Sequence, residues 1–432
     1  MISISRHDTD SLLLPSVLLG VLLGVASGLR YGRVVVLSVF LVAVVVYALG
    51  SRRWLATVLA GGLVFRLVVI LVDSQLGILV EPPISYAHHE RAALLAEAWL
   101  RGNLHGLPEG PRRVCRFCVE NIDPMRRLVA YFLAPFYVIF GSWEISGRLA
   151  VAFYGTLSGY VTYRIARRIA SARTATIAAA LVVFWPSVVF RSVMIQREII
   201  IATAMLGVVL LALRWTRAIH LEEVVLLLAI FGVLFVLRKE NLPIVVLTLA
   251  VVPLIRSQNG LKYAFTAALL SFPFLAYFAL NFGQFTGIGT ALSPETLDMY
   301  AHARDHGDAA YLVSLHYETW FDVLLYSPLK VVYFLFSPLP WQIETLPDLL
   351  AGISGFSIFV AALLSKQGFA LVQKRTAELA VLVTYAFTGI LTYSIVEMNY
   401  GAAFRRRIQF VPIILIFAAV AFSRIRVAVS EA

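Results

Sequence analysis

Long apolar runs with few charges recur along this chain, and they limit its fold more than any other feature. A helix needs roughly 20 mainly apolar residues to cross the hydrocarbon core of a bilayer. The runs therefore predict an all-α polytopic membrane protein with about 11–13 transmembrane helices. They lie near residues 12–29, 33–50, 54–79, 145–163, 174–192, 198–214, 221–237, 242–256, 262–281, 348–365, 377–396 and 408–423.

The composition agrees with this interpretation. Hydrophobic residues make up 60% of the 432 residues and charged residues 14%, against roughly 45–50% and 25% in soluble globular domains. The mean hydropathy is +0.84. These values exclude a water-soluble fold, a disordered chain and a collagen-like repeat, and two cysteines are too few for a disulfide scaffold.

The distribution of Lys and Arg predicts the orientation, because short cytoplasmic loops carry an excess of basic residues. The rule places two long polar stretches, 80–144 and 282–320, outside the cytoplasm. Apolar segment 322–341 is read as a re-entrant or interfacial helix, with a true span as the alternative. The expected organisation is two extra N-terminal helices over 1–53, a core over 54–281 that includes the large first outer loop, a second outer loop over 282–347, and C-terminal helices over 348–432.

Several basic residues fall on the outer side, where the orientation rule would not place them. Because arginine offers planar bidentate donors to phosphate oxygens, a phosphate group held at this face would explain them. Snorkelling arginines, or a topology that is wrong by one span, are the alternatives. The outward basic residues are Arg191, Arg197, Arg238, Lys239, Arg405, Arg406 and Arg407, and the neighbouring acids are Glu198, Glu240 and Glu397.

The first outer loop begins with a stretch that predicts an amphipathic helix at the membrane surface. His88, His89 and Glu90 lie on its titratable face. A carboxylate here could accept the proton of an acceptor hydroxyl as a general base. Glu90 is the first candidate, Asp123 the second, and a solvated helix face the alternative. No binding of nucleic acid is expected.

Cys115 and Cys118 form a C-x-x-C motif in the same loop. A local disulfide or two free thiols are the simplest interpretations, and zinc binding together with His88, His89 or His105 is the third. Arg66 and Asp73 lie two helical turns apart in the third apolar run. Charged residues inside a membrane are usually paired or functional, so this pair either braces the helix bundle or takes part in catalysis. Nucleotide-driven pumping, zinc proteolysis and α/β-hydrolase chemistry are disfavoured, since their motifs are not found.

The order of short motifs resembles that of membrane glycosyltransferases with the C-type (GT-C) fold, the group that contains the protein O-mannosyltransferases and the family 39 enzymes. The resemblance covers about 54–256 well and 330–425 more loosely. The matching residues are Arg66; His88, His89 and Glu90 with Ala96 and Gly102; Leu133 to Gly141; Arg148 and Leu149; the basic turn 164–173; Trp185 and Pro186; Arg197 and Glu198; and Asn399, Tyr400 and Gly401 with Arg405, Arg406, Arg407 and Pro412.

The resemblance implies transfer of a sugar from a polyprenyl-phosphate donor to an acceptor hydroxyl, with inversion, on the non-cytoplasmic face of the cell membrane. The acceptor would be a glycan, a lipid or a protein. A loop carboxylate would act as base, with Glu90, Glu198 and Asp123 as the candidate catalytic acids. The candidate substrate-binding residues are His88, His89, Arg197, Arg238, Lys239, Arg405 and Arg407.

Two features of the resemblance leave choices open. The family usually has Asp at the start of its first outer loop, where this chain has His88 or His89. Either Glu90 has taken over that role or the chain is a divergent member. Some family members use a divalent metal, so Mg²⁺ or Mn²⁺ stays open as a cofactor, although the sequence identifies no set of metal ligands.

Two other functions compete with glycosyl transfer. A polysaccharide polymerase or ligase would also handle lipid-linked glycans outside the cytoplasm, but without an essential acid in the first loop. A lipid or solute transporter would carry out no chemistry. Transporters often show two related halves and helices broken near the midplane. No such halves are visible in this sequence.

Overall fold

The computed structural model describes residues 52–79, 83–103, 128–256, 260–305 and 307–431. The two predicted N-terminal helices, Asp123, His105 and the C-x-x-C motif lie outside these residues. Within the described part the chain is helical, and its one extended pairing is an isolated antiparallel bridge between Ala310 and Asn399. The prediction of an all-α protein is therefore confirmed.

The residues divide into two compact units. The first comprises the described residues up to Thr156, together with Ser192–Gln196. Its helices are α1 (Arg53–Leu76), α2 (Pro83–Leu100), α3 (Val129–Phe140) and the first part of α4 (Glu144–Ala166). In this unit α2 packs against α3, and a 118° bend separates α3 from α4.

The second unit comprises Leu157–Arg191 and the residues from Arg197 onward. It contains the rest of α4 and thirteen further helices. These are α5 (Ala172–Val183), α6 (Pro186–Ser192), α7 (Glu198–Trp215), α8 (Leu221–Arg238), α9 (Leu242–Arg256), α10 (Gly260–Leu280), α11 (Phe282–Thr286), α12 (Pro294–His302), α13 (Trp320–Phe336), α14 (Leu346–Val372), α15 (Thr376–Val396), α16 (Tyr400–Arg406) and α17 (Val411–Glu431).

Four of the described helices are long and apolar enough to cross a membrane: α1, α7, α14 and α15. Three further pairs pass the same test only as bent pairs, which raises the number to seven if each pair is one span. With the composition, these helices make the chain an integral membrane protein. The predicted total of 11–13 spans stays a prediction, because other apolar helices are shorter or carry more charges.

Helix packing in the second unit brings the start of α7 close to the end of α16. Helix α7 packs against α8, α9 and α15, and also against the short 3₁₀ turn Arg407–Gln409 that follows α16. Asn399 begins α16, because its side chain accepts a hydrogen bond from the backbone N–H of Ala402. Such a cap satisfies a donor that the first turn of a helix leaves unpaired. Residues far apart in the sequence thereby become neighbours.

Candidate functional site

Five arginines and three glutamates gather in the second unit, and we call this group the arginine cluster. Its members come from the end of α6, the start of α7, the turn after α8, and the segments on either side of Asn399. The members are Arg191, Arg197, Arg238, Arg405, Arg406, Glu198, Glu240 and Glu397.

Glu198 lies at the centre of the cluster. It is the first residue of α7 and interacts electrostatically with Arg238, Arg197, Arg405 and Arg191. The nearest atoms of the first pair, Nη2 of Arg238 and Oε1 of Glu198, are 3.4 Å apart. The carboxylate thus forms an ion pair with Arg238 and lies in the electrostatic field of three further guanidinium groups.

A second set of contacts holds the other cluster members in place. The Arg406 guanidinium donates to Oε2 of the fully buried Glu397 and lies 5.2 Å from the Tyr393 ring. Nη1 of Arg197 donates to the carbonyl of Leu237 at 2.6 Å. These contacts restrict the guanidinium groups before any ligand binds.

Two guanidinium groups keep donors available. Arg405 is exposed, and it forms no hydrogen bond or ion pair with any residue that the structure describes. Arg238 is buried, and its Nη1 has no hydrogen-bond partner among the described atoms. Buried donors are normally satisfied, so the free Nη1 of Arg238 is suited to an oxygen-rich ligand, and the exposed guanidinium of Arg405 is accessible to the same ligand.

The cluster carries an excess of positive charge. Burial raises the pKa of the Glu240 carboxyl, but Arg238, a backbone hydrogen bond and further arginines outweigh this effect, and the net pKa lies below the usual value. Glu240 is therefore ionised at neutral pH. Within this group, five arginines against three glutamates leave two positive charges in excess. Arg304 and Arg407 interact electrostatically with Arg406 and Arg191 and add to the positive charge, so the region is suited to an anion.

Two further predicted binding residues make contacts with the backbone. Nη1 of the fully buried Arg407 donates to the carbonyls of Leu335 and Ser337, at 2.8 and 2.7 Å. Nζ of Lys239 donates to the carbonyl of Gln284. Arg407 therefore braces the end of α13 in this structure, and a ligand-binding role for it or for Lys239 stays a prediction.

The first unit contains the predicted general base. Glu90 is half-buried on α2, and it forms no hydrogen bond or ion pair with any described residue. His88, two positions earlier, is buried. Nδ1 of His89 lies 2.7 Å from the hydroxyl of Tyr137 on α3. Burial lowers the pKa of His89, and Glu144 opposes the shift only in part, so His89 is neutral at pH 7.

Arg66 and Asp73, the pair suggested by helical spacing, each have another partner. Nε of Arg66 donates to Oγ of Ser192 at 2.6 Å. Oδ2 of Asp73 lies 2.5 Å from Nη1 of Arg148 on α4. All three charged side chains are buried, and the contacts tie α1 to the rest of the first unit.

A group that the sequence analysis missed could hold a metal ion. Asp298, His302 and His316 place one ligand atom each within 4.8 Å of one another. The spacing of Asp298 and His302, four residues apart on a short helix, is a signal visible in the sequence. His316 follows fourteen residues later, and only the fold brings it to the other two.

Part of the chain matches a known family. Residues 127–281 match the family model described as dolichyl-phosphate-mannose-protein mannosyltransferase. This match confirms the resemblance indicated by the order of the motifs. No curated protein matches the chain.

The chain is also similar to a solved structure. It is the crystal structure of ArnT from Cupriavidus metallidurans bound to undecaprenyl phosphate. The superposition has a TM-score of 0.48 and 17% sequence identity. The superposition covers 84% of the present chain and 60% of the ArnT chain.

Proposed function

We propose that this protein is a membrane glycosyltransferase that moves a sugar from a polyprenyl-phosphate-linked donor to an acceptor hydroxyl on the non-cytoplasmic face. The arginine cluster is the observation that carries the proposal. Its exposed Arg405, which forms no hydrogen bond with a described residue, and its two excess positive charges fit the phosphate of such a donor. The family match over residues 127–281 supports the same class of donor.

The charge of the cluster suits the chemistry of the leaving group. The donor is a phosphodiester with one negative charge, and transfer leaves a phosphate monoester that carries about −1.5 to −2 at pH 7. Guanidinium groups already in place stabilise negative charge as it develops in the transition state. The arginines would therefore favour the transition state over the bound donor.

We assign the general base to Glu90. The acceptor oxygen attacks the anomeric carbon with inversion, its proton passes to the Glu90 carboxylate, and the bond from that carbon to the phosphate oxygen breaks. Glu90 has no described partner that would compete for this role. Glu198 suits the role less well, because four arginines stabilise its charged form. We assign it to holding the guanidinium groups in position.

The test is sugar transfer by the purified protein in liposomes that contain a radiolabelled polyprenyl-phosphate hexose. We expect Glu90→Gln to lower transfer by about 10²–10⁴-fold, since that is the usual contribution of a general base. The matched control is Glu97→Gln, an exposed residue of the same helix in a surface pair with Arg101. It should leave transfer unchanged.

Each other outcome points to a different function. Full transfer by Glu90→Gln would remove the base and favour a polymerase or ligase that needs no acid in the first loop. Movement of the labelled lipid across the bilayer, without any new glycosidic bond, would favour a transporter.

A further inference from the structure

A group of possible metal ligands that the proposed reaction does not use lies around helix α12. Ser293 accepts a hydrogen bond from the backbone N–H of Thr296, and Pro294 follows in the first turn, so the helix begins at a fixed point. Asp298 and His302 are four residues apart on this helix and therefore lie on the same face. His316 approaches the same carboxylate from the segment that follows.

The distances between ligand atoms match a metal site. Nδ1 of His302 lies 3.4 Å from Oδ1 of Asp298, and Nδ1 of His316 lies 3.2 Å from Oδ2 of the same residue. Zinc binds such atoms at about 2.0–2.2 Å in tetrahedral geometry, which places neighbouring ligand atoms roughly 3.3 Å apart. Each of the two distances between imidazole and carboxylate is thus close to that between neighbouring ligands of one small cation, and one ligand atom from each of the three side chains lies within 4.8 Å of the others.

Neighbouring backbone groups orient these side chains as metal ligands are usually oriented. Nε2 of His302 lies 3.2 Å from the carbonyl of Val313, so an N–H there leaves the Nδ1 lone pair facing the carboxylate. The backbone N–H of Tyr317 donates to Oδ1 of Asp298 at 2.9 Å. Hydrogen bonds of this kind fix the ring and carboxylate orientation around protein metals.

The contacts also allow a simpler arrangement without a metal. Nδ1 of His302 lies 3.0 Å from the carbonyl of Asp298, and a proton on that nitrogen would bond to it. The two imidazole rings are stacked, with centroids 4.4 Å apart and planes 1° from parallel. Close parallel stacking disfavours a positive charge on both rings at once. Because each Nδ1 lone pair lies in the plane of its ring, the two rings tilt toward each other when both bind one cation.

We propose that Asp298, His302 and His316 bind a divalent cation of the zinc class. Two imidazole ligands favour zinc over magnesium, which prefers oxygen ligands in octahedral geometry. The side chain of His316 is 60% exposed, so a fourth position remains open to water or to an oxygen atom of a substrate. The proposal is independent of the glycosyl-transfer function.

The cation would close the segment between His302 and His316. That segment pairs with the chain before α16, since the backbone N–H of Tyr311 donates to Met398 at 2.8 Å and that of Tyr400 donates to Ala309 at 2.9 Å. Helix α16 carries Arg405 and Arg406 of the arginine cluster. Metal binding would thus restrain the second outer loop where it contacts the cluster-bearing segment.

The experiment measures zinc on tag-free, full-length protein in detergent. The protein is loaded with zinc chloride, dialysed against metal-free buffer and analysed by mass spectrometry for zinc per chain. His316→Gln removes one ligand, and because this side chain is largely exposed the variant should fold. We expect at least a tenfold weaker affinity for zinc by competition with a chromophoric chelator. The matched control is His220→Gln, an exposed histidine of the same unit, which should behave as the parent does.

Two further measurements decide the outcome. The double variant Cys115→Ser, Cys118→Ser should bind zinc as the parent does, because the proposed site has no thiol ligand. A chelator should lower the melting temperature of the parent by a few degrees and leave that of His316→Gln unchanged. Equal zinc affinity in the parent and His316→Gln would overturn the proposal, and so would a parent that binds no zinc.

Discussion

The guanidinium of Arg405 is the most accessible cation of the arginine cluster, and its loss gives a direct test of phosphate binding. Hydrogen bonds to charged groups contribute about 1.5–3 kcal/mol, so we expect Arg405→Ala to reduce kcat/KM for the lipid-linked donor by about ten- to a hundredfold. Arg405→Lys should recover part of the loss, because lysine supplies the charge without the bidentate geometry. Arg256→Ala, another exposed arginine, serves as the control. Unchanged kinetics in a folded Arg405→Ala variant would contradict a phosphate contact.

The imidazole of His89 gives a prediction for pH. Because burial lowers its pKa in the folded state, the unfolded chain binds more protons below the ordinary value of about 6.5. Stability contributed by neutral His89 is therefore present above that pH and is lost as the pH falls below it. Melting temperatures at pH 7.5 and 5.5 check this effect. His89→Gln should show a smaller decrease than the parent, and an equal decrease would show that other groups cause it.

The buried ion pair between α1 and α4 gives a prediction for the free energy of unfolding. Asp73 of α1 and Arg148 of α4 are both buried and 2.5 Å apart. Breaking a buried ion pair costs about 3–5 kcal/mol, and Glu144, 2.8 Å from Nη2 of Arg148, retains part of the pairing. We expect Asp73→Asn to lower the free energy of unfolding by about 2 kcal/mol. Arg101→Ala breaks an exposed pair and should change it by less than about 1 kcal/mol. A similar change in both variants would refute the bracing role.

The positions of several helices follow from apolar runs and charges at their ends. The predicted run 198–214 corresponds to Glu198–Trp215, and 221–237 corresponds to Leu221–Arg238, because charged residues mark the limits of each apolar segment. The run 174–192 instead forms two helices with a bend of 57°. Pro186 begins the second of them, and proline lacks the N–H that an uninterrupted helix would need.

Contacts across long sequence separations were harder to predict than the helices themselves. The orientation rule for Lys and Arg predicted that Glu198 and Arg405 lie on the same side of the membrane. Nothing in the sequence indicated that Arg407 would donate to backbone carbonyls at the end of α13. His316 joins Asp298 only because the segment after α12 folds back. Hydrophobic periodicity gives information about single helices only. It therefore cannot predict a site whose residues come from several loops.

Orientation in the membrane is a property of the whole molecule and can be tested with one pair of cysteines. We expect a membrane-impermeant maleimide to label Glu318→Cys, an exposed position in the second outer loop, from the non-cytoplasmic side. The background is Cys115→Ser with Cys118→Ser. Lys374→Cys, exposed in a predicted cytoplasmic loop, should react only after the membrane is opened. The reverse pattern would place the candidate site on the cytoplasmic face.

The positive excess of the arginine cluster has a consequence for turnover. A site with two unbalanced cations attracts a dianion more strongly than a monoanion, since the attraction grows with the product of the charges. Under the proposed function, the spent lipid carrier would be held more tightly than the loaded one. Departure of that carrier is then the step of each cycle that the cluster slows.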